Sequence, residues 1–111
     1  MTRVAVLVSR IRVEEKLLLA ALEAAGVELQ VINDGSLVLR LDGESPPLDV
    51  DVVLERSVST ARGLYALRIL ASAGLTTVNS YRTAATCADK VLTDAALREA
   101  HVPQPRARVA F

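Results

Sequence analysis

The stretch Asp51-Val-Val-Leu-Glu-Arg-Ser-Val-Ser-Thr60-Ala-Arg-Gly-Leu-Tyr-Ala-Leu-Arg-Ile-Leu70-Ala-Ser-Ala73 decides the fold, because it runs from a buried strand straight into a helix. Val52, Val53 and Leu54 form the short apolar run of a parallel strand covered on both faces, and Leu64, Leu67 and Ala71 recur at helical spacing. Between them Glu55, Arg56, Ser57, Ser59 and Arg62 crowd the corner where strand becomes helix. In an open α/β sheet that corner lies on the edge where ligands bind.

The same alternation extends on either side. Arg3 to Val8 is a β-branched run that reads as a central strand, Ser9 to Arg12 a loop, and Val13 to Ala25 a helix with Leu18, Leu22 and Ala25 inward and Glu14 and Glu15 at its positive end. Gly26 ends that helix. Val27 to Ile32 alternates apolar and polar residues, as a strand nearer the sheet edge does. Asn33-Asp34-Gly35 is a turn, Ser36 to Leu41 an edge strand or extended connection, and Asp42 to Pro47 an exposed loop of turn formers. Gly74 stops the second helix, Leu75 to Val78 supplies a fourth strand, and Asn79 and Ser80 suit a helix cap. Tyr81 to Cys87 is expected as a short helix. Asp89 to Ala100 is expected as a longer one, with Asp89 as N-cap and Leu92, Ala95 and Ala96 inward. The prolines of His101-Val-Pro-Gln-Pro105 end it, and Arg106 to Phe111 reads as a further strand. A chain stopping in mid-element looks like a piece of a longer protein. The fold class is therefore a single doubly wound, Rossmann-like α/β domain with a mainly parallel sheet of about four strands and helices on both faces.

At 111 residues the chain fits one domain, and with three aromatics its core must be Val, Leu, Ile and Ala. A formal net charge of zero argues against a nucleic-acid partner. The single Cys87 forms no intramolecular disulfide, and with only His101 beside it there is no metal-ligand cluster. No leader or membrane span is evident, so the expected setting is the cytoplasm, with no membrane partner.

At the carboxyl ends of the strands lie Ser9, Arg10 and Arg12 after the first, Glu55 to Arg62 after the third, and Asn79 after the fourth. Arginine forks converging from two loops suit a carboxylate, a phosphate or an acidic protein surface. The competing reading is that they are solvated or pair with Glu14, Glu15 and Glu55. No Gly-x-Gly-x-x-Gly follows the first strand and there is no Walker loop, which disfavours dinucleotide and P-loop chemistry. No Ser-His-Asp arrangement is evident: His101 reads as a helix terminator, and Cys87 as a small buried thiol.

Glu55-Arg-Ser-Val-Ser-Thr-Ala-Arg-Gly-Leu64, Gly74-Leu-Thr-Thr-Val-Asn79, Cys87-Ala-Asp-Lys-Val-Leu-Thr-Asp94, Ala100-His-Val-Pro-Gln-Pro105 and the early Ser9-Arg-Ile-Arg-Val-Glu-Glu15 together resemble the amino-terminal, pre-ATP-grasp part of RimK-like ATP-grasp ligases. Within that branch the resemblance is to the LysX-type ligases, which join α-aminoadipate, or glutamate in arginine-pathway relatives, to an acidic amino-group carrier protein. It implies ATP and magnesium in a full-length parent, an acyl-phosphate on a carrier carboxylate, and attack by an amine. The resemblance makes Lys90 the lysine that reaches nucleotide phosphates. It makes Arg10, Arg12, Arg56, Ser57, Ser59, Arg62 and Asn79 the substrate or carrier docking wall. It places a pre-ATP-grasp domain at 1–88, and at 89–111 a helix and strand leading into an ATP-grasp domain that this chain lacks. No catalytic residue and no metal ligand are expected within these residues, and no cofactor is expected to bind this chain alone. Such ligases assemble as dimers or tetramers, so a homo-oligomer is compatible with the reading. The alternative is a non-enzymatic α/β binding or oligomerisation module. A flavodoxin-like or receiver-like regulator fits less well, because the first strand lacks the acidic or phosphate-loop cluster such proteins place there.

Overall fold

β-branched and aliphatic side chains fit a pleated strand buried on both faces, and Arg3–Val8 forms such a strand, β1, with Ala5, Val6 and Leu7 fully shielded from solvent. The computed structural model describes residues 1–42 and 48–111. It divides into two compact units, Met1–Tyr81 and Arg82–Phe111.

In the first unit four parallel strands run in the order β2-β1-β3-β4, with β2 at Glu28–Asn33, β3 at Val52–Arg56 and β4 at Thr76–Val78. Val8 pairs with Asn33 on one side and with Arg56 on the other, so the three strands end level. The chain leaves β1 first toward β2 and later crosses to β3, which makes the gap between the ends of β1 and β3 the switch point of the sheet. Helix α1 (Val13–Ala24) covers one face through Leu18, Leu19 and Leu22 against Val4, Val6 and Val8. Helix α2 (Thr60–Ser72) covers the other through Ala66 and Leu70 against Ala5 and Val53. Fully burying a leucine such as Leu7, Leu67 or Leu70 contributes about 2 kcal/mol.

The helix ends follow from local chemistry. Ser59 caps α2 by accepting from the Arg62 N–H at 3.3 Å. Gly26 and Gly74 take positive φ values of 74° and 87°, and their N–H groups and those of the next residues return to the last carbonyls of α1 and α2.

Several sequence expectations are corrected. Ala25, expected on one side of α1 with Leu18 and Leu22, is exposed, because the inward stripe runs through Leu18, Leu19 and Leu22. Of the two readings of Ser36 to Leu41, the extended connection is the one found, over residues 37–41: Leu37 and Leu39 pack on the core while Val38 and Leu41 point outward. Within the expected loop at 42–47, Gly43 to Pro47 lie outside the described residues.

In the second unit, α3 (Tyr81–Ala88, shared at its first residue with the first unit) is followed by α4 (Lys90–Glu99). Asp89 caps α4 as expected, its Oδ1 accepting from the Val91 and Leu92 N–H groups at 2.9 Å each. His101 ends it at a φ of 58°, with its own N–H on the Arg98 carbonyl and that of Val102 on the Leu97 carbonyl, the geometry usually given to glycine. The shielded stripe of α4 is Thr93, Asp94 and Leu97, whereas Leu92, Ala95 and Ala96 are exposed. Cys87 is exposed, not buried. Residues 106–111 form no strand, since a strand exists only where another pairs with it, and the sheet is complete without them among the described residues.

Candidate functional site

Side chains alternate across a strand, and that period of two sorts the end of β3. Val52 and Leu54 face α1, so Arg56 does too; Val53 faces α2, so Glu55 does too. The corner at Glu55–Gly63 thus sends its acid and its base to opposite faces of the sheet.

On the α2 face the Glu55 carboxylate accepts from the Ser57 N–H at 2.5 Å and lies against the helix backbone at Gly63. A Cβ there would stand 2.8 Å from Glu55 Oε1, so glycine is what permits this approach.

On the α1 face Arg56 meets Glu15, whose side chain is completely buried. Glu15 Oε1 accepts from Arg56 Nη2 at 3.1 Å and from Arg12 Nη2 at 2.5 Å, and Oε2 accepts from Arg12 Nε at 3.0 Å and from the Arg12 N–H at 3.1 Å. This is half of a capping box, because the carboxylate reaches back to the N-cap while arginine has no acceptor to offer in return. The Arg12 guanidinium holds the Glu15 carboxyl down to about 2, against the opposing effect of burial.

At the switch point Ser9 Oγ donates to Asp34 Oδ2 at 2.6 Å and accepts from the Val58 N–H at 2.8 Å. Asn33 Nδ2 donates to the Ser9 carbonyl, and Arg62 Nη1 meets Asp34 Oδ1 at 3.2 Å. The Asp34 carboxyl is held below its usual range, first by the Ser9 hydroxyl and further by Arg62. Ser57 Oγ also lies near enough to bias that carboxylate, yet it makes no hydrogen bond of normal geometry, and among the described residues it is the buried side-chain atom left without a partner. At the crevice that holds a cofactor in nucleotide-binding sheets, Ser9, Asp34 and Arg62 are here bonded to one another.

The expected docking residues therefore have different surroundings. Arg12 and Arg56 converge on Glu15, one of the three acids named as partners from sequence, and Arg62 pairs with Asp34, which was not. No ion pair of Glu14 or Glu55 occurs among the described residues. Arg10 is exposed and has no hydrogen bond or ion pair among them. Ser59 is occupied as the α2 cap, and Asn79 is exposed after β4. Lys90 is exposed at the first position of α4, in the second unit. Among the described residues no group of three or more His, Cys, Asp or Glu could hold a metal, and no helix is long and apolar enough to cross a membrane.

Comparison with known proteins places this geometry in a lineage. The chain is 38% identical over 109 residues to a glutamate--LysW ligase ArgX of Sulfolobus acidocaldarius and 35% identical over 109 residues to that of Sulfurisphaera tokodaii. In each case 98% of this chain aligns, and it spans 38% of the relative's length. The crystal structure of a RimK domain protein ATP-grasp from Sphaerobacter thermophilus superposes with a TM-score of 0.81 at 37% identity, covering 98% of this chain and 41% of that one. Residues 4–86 match the family model of the LysX preATP-grasp domain, and the chain belongs to that family.

Proposed function

We propose that this chain is the amino-terminal, substrate- and carrier-facing part of an ATP-dependent ligase that joins glutamate or α-aminoadipate to an acidic amino-group carrier protein in amino-acid biosynthesis. The observation that carries the reading is the alignment of 98% of the chain with ligases of that kind, together with its match to the preATP-grasp family over residues 4–86. In this reading the chain spans a pre-ATP-grasp domain at 1–88 and a lead into the ATP-grasp domain at 89–111. It works in the cytoplasm, where the acidic carrier and the amino acid are its partners.

The parent protein uses ATP and magnesium to convert a carrier carboxylate into an acyl-phosphate, whose phosphate leaves when an amine attacks. In this reading none of this chain's groups is assigned to the metal, and residues 1–111 alone are expected to turn over no ATP. Lys90, an exposed ammonium on a flexible stem, contacts the nucleotide phosphates. Arg10, Arg12, Arg56, Ser57, Ser59, Arg62 and Asn79 form the docking wall. Its arginines steer an acidic carrier, because opposite charge speeds and orients encounter.

Titration of the carrier protein into the full-length enzyme tests the wall. Arg56→Ala and Arg62→Ala, each with an unchanged melting temperature, should weaken binding about tenfold at low ionic strength and flatten its salt dependence. Unchanged affinity at low salt would overturn the docking role.

A further inference from the structure

Glu15 is the one completely buried charged side chain among the described residues, and it faces two arginines at once. Its four bonds, two to each oxygen, fill the carboxylate. The arginines are not filled. Arg12 spends Nε and one Nη2 proton on Glu15, and Arg56 spends one Nη2 proton. Arg12 Nη1 and Arg56 Nε and Nη1 make no further bond among the described residues. Their side chains are 36% and 40% exposed, so those donors can reach solvent. One carboxylate beneath two guanidiniums also leaves one positive charge uncompensated within the cluster. Glu14, exposed on the next turn position, acts on Arg12 only through space, and unpaired Arg10 adds a further positive charge two residues away.

A flexible arginine must give up side-chain freedom to bind an anion, and a buried carboxylate removes that freedom in advance. Resting on the docking role proposed above, we propose that Glu15 is a positioning residue that holds Arg12 and Arg56 as a preset two-arginine receptor for one carboxylate group of the ligand. Glu15 does not touch the ligand; it sets the planes of the two forks, and the free Nη1 and Nε donors take the incoming oxygens. At the neighbouring switch point Arg62 is paired with an acid of its own, Asp34, so Arg12 and Arg56 are the two arginines of the corner that share one carboxylate.

Charge alone and positioning predict opposite signs for Glu15→Gln. Removing a negative charge next to two arginines should tighten anion binding if only the field matters, and should loosen it if Glu15 sets the forks. The measurement is a glutarate titration of uniformly 15N-labelled chain, following the Arg12 and Arg56 Nε–Hε signals by NMR, with backbone amide spectra as the check on fold. In the wild type both signals should shift saturably. Glu15→Gln should weaken glutarate at least about tenfold despite its extra positive charge. Should Glu15→Gln not fold, Arg56→Lys carries the test at a half-buried position: it keeps the charge, loses the fork, and should weaken glutarate at least about tenfold as well. Equal or tighter binding in Glu15→Gln, or full affinity in Arg56→Lys, overturns the inference. Inorganic phosphate binding more tightly than glutarate overturns the assignment to a carboxylate. If Arg56→Ala impairs carrier binding by the full-length enzyme while the wild-type chain gives no glutarate response, this inference fails and the docking role stands.

Discussion

Glu15 shows how far one residue's environment can depart from its sequence context. In the first turn of a helix a glutamate reads as a complement to the helix dipole. Here it is a buried anchor shared by Arg12 and by Arg56, 41 residues away, and that pairing depends on β3 ending beside α1. Its acidity gives a signed prediction. The folded carboxyl sits at about 2, below its ordinary 4.5, so the ion pairing stabilises the fold fully above about pH 4.5 and is lost as pH falls through about 2. Denaturant midpoints of wild type and Glu15→Gln should therefore differ most near neutral pH and converge between about pH 4.5 and 2. A gap that stays constant over that window would show that Glu15 is not held ionised in this way. Asp34 was better hidden than Glu15, which the sequence already offered as a partner of the arginines: it was read only as part of a turn, because its partners Ser9 and Arg62 lie 25 and 28 residues away.

The strand, turn and helix at Val52–Ser72 were legible as elements, since the switch from a continuous apolar run to helical spacing is local. What joins them was not. The carboxylate of Glu55 resting on Gly63 requires the period-two sorting of β3 and the docking of α2 together. A double-mutant cycle tests that coupling. Replacing Gly63 by Ala should gain about 1 kcal/mol of helix propensity in a Glu55→Ala background, and should lose most or all of it when Glu55 is present and must be displaced from the Ser57 N–H. Additive effects would mean the close approach carries no energy. Residues 106–111 mark the other limit of local reading: their composition suits a strand, but pairing makes a strand, and none of the described residues pairs with them.

Over the whole molecule, the four parallel strands, the two faces and the family were all readable from runs of Val, Leu and Ile, glycine stops and the Glu55–Gly63 motif. The same strand order that brings the arginines to one edge also supplies counter-charges, Glu15 for Arg12 and Arg56 and Asp34 for Arg62, and leaves the shared pair and Arg10 with a positive excess. The central claim, that these residues serve an ATP-dependent carrier ligase, is tested most directly by the intact mass of the carrier protein. It is to be measured after incubation with the full-length enzyme, ATP, magnesium and glutamate or α-aminoadipate. The account predicts a mass increase of one amino-acid residue that requires ATP and does not occur with residues 1–111 alone. An unchanged carrier mass with the full-length enzyme, or ATP-dependent modification by residues 1–111 alone, would contradict it.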